Sequence, residues 1–66
     1  MRYEEFADFI DKEVLLTTSK GNSFRGVLTL GETAFDSSSG EDEVDVFSEF
    51  GCAEIPFSSI KSVSII

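Results

Sequence analysis

Apolar and polar residues change rhythm once along this chain, close to Lys12. Ahead of it, Tyr3, Phe6, Phe9 and Ile10 recur at helical spacing. Glu4 and Glu5 fall in the first turn, where the helix dipole favours negative charge. The spacing predicts a short helix over Tyr3–Ile10 whose apolar stripe covers the open end of whatever follows. Being shorter than the ~12 residues that hold a helix in water, it depends on that packing. Asp8 and Lys12, four apart, are expected to pair weakly on its exposed side. Beyond Lys12 the period drops to two, the signature of half-buried strands. Val14–Thr18 and Asn22–Leu30 are predicted strands joined through Ser19-Lys20-Gly21, a short turn signal. In the second strand Phe24, Gly26, Leu28 and Leu30 share the inward face, opposite Ser23, Arg25, Val27 and Thr29. Gly26, inward and without a side chain, marks the point where a long strand bends.

The stretch Gly31–Glu43 is the loosest, with Asp36-Ser37-Ser38-Ser39-Gly40 as a strong turn signal. Val44–Phe50 reads as a third strand, with Val44 and Val46 inward and Asp45 and Phe47 outward. Gly51 turns the chain into a short fourth strand, Cys52–Ile55, ended by Pro56, which supplies no ladder donor. Phe57–Ser59 fits one 3₁₀ turn, and Ile60–Ile66 is the fifth strand. The expected fold is mainly β: one domain over residues 1–66, a short N-terminal helix, and five antiparallel strands bent into a small barrel.

Composition sharpens this picture. At 66 residues folding buries only ~60% of the chain's surface, so stability is marginal. Seven phenylalanines are the main material for a core. A single cysteine, Cys52, and no histidine exclude an intrachain disulfide, a Cys–His nucleophile and a His-containing zinc site. Self-association is then the remaining source of extra stability. No apolar run is long enough for a membrane span, and the acidic N-terminus does not fit an export signal. A lone thiol in such a chain is expected in a reducing cytoplasm.

Thirteen acidic and five basic residues give a net charge of −8. The distribution matters more than the sum. No Lys or Arg lies between Arg25 and Lys61, whereas Glu32, Asp36, Glu41, Asp42, Glu43, Asp45, Glu49 and Glu54 all do. Such a surface repels phosphate, since nucleic-acid affinity comes largely from Lys and Arg. It suits solubility and, beyond that, a basic protein partner.

The order helix, bent hairpin, third strand, short fourth strand, 3₁₀ turn and fifth strand resembles the Sm-like (SH3-like) barrel family. Lys20-Gly21-x-x-Phe24-x-Gly26-x-Leu28 is similar to the first Sm motif, with its turn glycine, inward aromatic and bend glycine. Ile55-Pro56-Phe57-Ser58-Ser59-Ile60-Lys61-Ser62-Val63 is similar to the closing strands of Hfq and of small acidic bacterial Sm-like proteins. The resemblance implies rings in which the fourth strand of one copy pairs with the fifth of the next. That would place Phe47, Cys52, Ala53, Glu54, Ile55 and Ile65 at a subunit interface. It also implies a ligand- or RNA-facing loop at Glu32, Phe35 and Asp36. There the departures are telling. Asp36 stands where RNA-binding members offer an Asn, and an ionised carboxylate cannot donate to a uracil carbonyl. The Arg-Gly pair of the second Sm motif is missing, and Pro56-Phe57-Ser58 replaces the Tyr-Lys-His of Hfq. Phe35 remains available for base stacking, although a partly buried loop anchor is the expectation for it.

No chemistry rises above this background. Asp36, Ser38, Gly40, Asp42 and Asp45 resemble a calcium loop only loosely, because Phe47 occupies the place of the twelfth-position Glu. Gly31–Gly40 lacks a P-loop lysine, and no carboxylate pair is singled out for acid–base work. The reading is a non-catalytic Sm-like interaction module without cofactor or metal, self-associating and protein-binding. The alternative is a divergent Hfq-like RNA chaperone.

Overall fold

A computed structural model describes residues 3–66, with side chains from Glu5 onward. The period-two stretches form β1 (Glu13–Thr18), β2 (Ser23–Leu30), β3 (Glu43–Ser48), β4 (Gly51–Pro56) and β5 (Ile60–Ile65). Each lies within two residues of its predicted limits. They make one antiparallel sheet in the order β4-β3-β2-β1-β5. β4 and β5 are therefore the two edges, and the sheet is not closed by pairing between them. The expected barrel is in fact an open, curled sheet.

The helix is shorter than its apolar stripe suggested. The segment α1 covers Tyr3–Phe6 and passes into a 3₁₀ turn over Ala7–Phe9. The chain must reverse into β1, and Asp11 does this at φ 66°, a left-handed conformation that short polar residues tolerate. The amide of Asp11 donates to Leu28 O, and that of Leu28 donates to Lys12 O, so the reversal is tied to β2. The side chains of Tyr3 and Glu4, part of the expected stripe and first turn, lie outside the described residues. Asp8 and Lys12 do not pair; the ion pair among the described residues is Arg25 to Glu13, at 3.9 Å and exposed.

One face of the sheet is the core. Val14, Leu16, Leu28, Val44, Val46, Ile55 and Ile60 are buried there, and Phe6 from α1 seals it at 0% exposure. Phe6 packs on Phe57 with ring centroids 4.7 Å apart at 50°, a tilted pair worth ~0.5–1.5 kcal/mol beyond its buried area. A register shift between Thr17 and Thr18 sets Ile60 opposite Thr18, which puts both inside. Leu30 departs from the expected inward set. It shares the face of its partner Val44 but sits at the end of β2 and is 43% exposed.

The bend expected at Gly26 has a steric cause. A Cβ on Gly26 would lie 2.2 Å from Phe47 O and 2.8 Å from Phe47 C. The β3 backbone thus occupies the space above the inner face of β2, and it can do so only where β2 has no side chain. Gly26→Ala should lower stability by about 1–3 kcal/mol through forced backbone displacement. Gly40, at φ 77° with nothing within 4 Å of the place a methyl group would take, offers the contrast. Gly40→Ala should cost about 1–2 kcal/mol from backbone strain alone. Thermal melts of the two variants check this: a parent-like melt for Gly26→Ala would remove the close approach as the origin of the bend.

Candidate functional site

The loop between β2 and β3, over residues 31–42, carries the first expected site. Glu32, Phe35 and Asp36 are all exposed, Phe35 completely so at 100%. Phe35 is therefore not the anchor that its apolar character suggested. A turn closed by bonds from the Asp36 and Ser37 amides to Thr33 O projects it outward.

The rest of the loop is far from loose, because its carboxylates are engaged. The Ala34 amide donates to Asp42 Oδ1 at 2.9 Å, and Ser37 Oγ donates to Glu41 O at 2.6 Å. Glu41 accepts at both carboxylate oxygens from Ser58, whose amide and hydroxyl are each 2.9 Å away. Ser39 Oγ donates to Glu43 Oε2 at 2.7 Å, and Glu43 is buried as the first residue of β3. Sequence reasoning missed this clasp. A loop rich in Ser and Glu reads as solvated when the partner, Ser58, is seventeen positions away. Asp42, one of the loosely calcium-like set, is committed to Ala34, and among the described residues no group of three or more His, Cys, Asp or Glu gathers to hold a metal.

The residues expected at an interface do not share one surface. Phe47 and Cys52 are opposite each other on the outer face of the β3–β4 hairpin, and Asp45 and Glu54 are the next pair along. Ala53 is half-buried and Ile55 belongs to the core, so neither presents a full side chain outward. Ile65 is 52% exposed on the β5 edge. Phe50, expected inside the third strand, instead stands in the β3–β4 turn at 92% exposure. A hollow of about 440 Å³ runs beside it on the outer face, lined by Glu13, Arg25, Val27, Phe47, Glu49 and Phe50. A second hollow of about 410 Å³ adjoins Phe24, Val46, Phe50 and Ala53.

The electrostatics centre on Asp45. Its Oδ1 is buried without a hydrogen-bond partner, in space left by the missing side chain of Gly31, whose Cβ would come 2.7 Å from that oxygen. Desolvation, and then the charge of Glu43, push the Asp45 carboxyl above its ordinary range. Glu54 is the residue directly across from it in the β3–β4 ladder. Partial desolvation, followed by the charges of Asp45 and Glu54, likewise raises the Cys52 thiol. It stays protonated at neutral pH and is a poor nucleophile.

No family model, curated protein or solved structure matches this chain. Among the described residues no helix is long and apolar enough to cross a membrane.

Because the Asp45 carboxyl titrates higher in the folded chain than in the unfolded one, the folded state binds the extra proton in the window between the two values. Its contribution to stability is then unfavourable above that window and disappears below it. Asp45→Asn should melt higher than the parent at pH 7, with the difference shrinking as pH falls from the raised value toward the ordinary Asp value and gone below it. Paired melts across pH provide the check; a variant that melts lower at every pH would show the carboxylate to be stabilising.

Proposed function

We propose that this chain is a non-catalytic, Sm-like interaction module that self-associates through its sheet edges and binds protein. The observation that carries the reading is the strand order, which leaves β4 and β5 unpaired at opposite edges of a curled sheet. Unpaired strand edges are templates for pairing with another chain. Both edges bear apolar side chains that a neighbour could cover: half-buried Ala53 on β4, and exposed Ile65, with Ile66 beyond it, on β5. An Sm-type arrangement of this open, bent sheet is the finer fold reading that accompanies this proposal, supported by the Gly26 bend and by the helix seated on the core.

Protein, and not RNA, is the favoured partner class on electrostatic grounds. Phe35 is free to stack on a base, which is worth ~1–3 kcal/mol. It projects from a segment without a single Lys or Arg. Phosphate contacts, the main source of affinity, have nothing there to act on.

Sedimentation equilibrium across concentration and salt tests the self-association. The expected result is a mass above one chain that rises with salt, as screening within a Debye length of about 8 Å at 0.15 M relieves the like charges. Ile65→Glu should lower that mass while leaving the circular dichroism spectrum unchanged. A single-chain mass under all conditions overturns the edge reading. For the partner class, fluorescence anisotropy with short oligo(U) and oligo(A) should give no submicromolar binding at about 0.15 M salt. Tight binding there would favour the RNA-chaperone reading instead.

A further inference from the structure

The outer face of the sheet carries an apolar stripe that the fold itself does not use. Val27 on β2 lies directly opposite Phe47 on β3, and Leu15 on β1 sits on the diagonal from Val27. The three are 39%, 47% and 40% exposed, and Phe50 stands at the end of the stripe. The hollow beside Phe50 makes this surface concave instead of flat.

The rim of the stripe is acidic. Glu13 and Glu49 line the hollow, and Asp45 and Glu54 form the adjoining cross-strand pair. Arg25 is the one cation in the hollow, and it faces Glu13. Asp45 and Glu54 are cross-strand partners, and among the described residues the ion pair is Arg25 to Glu13, so neither carboxylate has a cation of its own. A cationic partner would supply the counter-charge that this rim lacks.

We propose that this face docks a cationic, amphipathic segment of another protein, its apolar side chains on Val27, Phe47 and Phe50 and its Lys or Arg residues on Asp45, Glu54 and Glu49. The inference rests on the protein-binding part of the reading above and names the surface and the chemistry of the partner. Charge complementarity selects this occupant. A second copy placed face to face would bring two acidic rims of the same sign together. Phosphate-rich partners, whether RNA or an anionic lipid surface, meet the same carboxylates with the wrong sign. Edge pairing through β4 and β5 leaves the face open, so docking and self-association are compatible.

The probes are a synthetic Leu/Lys peptide with helical period, a shuffled peptide of the same composition, and an oligolysine of equal charge. Binding is read by fluorescence anisotropy at about 0.15 M salt. The patterned peptide should bind about tenfold tighter than either control, the difference expected when apolar anchors contribute as well as charge. Val27→Thr and Phe47→Thr, which keep strand-forming residues, should together weaken it by about tenfold or more. Glu54→Gln should weaken it and flatten its salt dependence, whereas Leu30→Thr, away from the stripe, should change nothing. Circular dichroism confirms that each variant is folded. Equal binding by oligolysine, indifference to the Val27 and Phe47 changes, or displacement of the peptide by oligo(A) would each overturn the proposal. Sedimentation of the same samples separates the two readings. A single-chain protein that binds the patterned peptide through this face refutes only the self-association, and an assembled protein that ignores the peptide refutes only the docking face.

Discussion

The carbonyl of Phe47 lies where a side chain at position 26 would have to be. That one close approach lets β3 ride over the inner face of β2, so that Val44 and Val46 reach the same core as Val14 and Leu28. Without it the sheet would lie flatter. A chain of this length has no second layer with which to bury a flat sheet, apart from the few residues of α1 and the turn after it. Phe6 and Phe57 then complete what the curvature begins, filling the space between the rolled sheet and its lid. Core, lid and edges thus share one geometric origin.

The acidic character of the chain divides into two populations that do different work. Glu41, Asp42 and Glu43 accept hydrogen bonds from Ser58, Ala34 and Ser39 and hold the long loop against the end of the sheet. These carboxylates are structural. Asp45 and Glu54 oppose each other on the sheet, and Asp45 keeps an unsatisfied oxygen. Residues that cost stability in the free molecule are the ones for which a partner is worth seeking.

Much of this was legible from residue pattern. Period two located the first three strands, because side-chain alternation is a local property that curvature does not disturb, and Gly51 and Pro56 bounded the fourth. Gly26 was recognisable as a bend, although the atom it makes room for, Phe47 O, could not be named without the pairing of β2 with β3. The helix was overextended, since periodicity in Phe6, Phe9 and Ile10 records which side is buried and not where the backbone must turn. Leu30 kept its face but lost its cover at the strand end. The site was read less well. Phe35 looked like an anchor and is bare, while the clasp of Glu41 on Ser58 and the burial of Glu43 depend on contacts between distant segments. Local chemistry carries no trace of those.

The two sheet edges differ in kind: β4 presents Glu54 beside Ala53, and β5 presents Lys61, serines and Ile65. Joining unlike edges is a head-to-tail union, and such a union has no reason to stop at two copies. Under the edge pairing proposed above, each added copy would leave one free β4 and one free β5, so growth would end only when the turn between neighbours brought the last edge back to the first. Closed circle or open fibre then becomes a question of angle. Under the proposed edge pairing, the residue whose missing methyl shapes one molecule would also set the symmetry available to many.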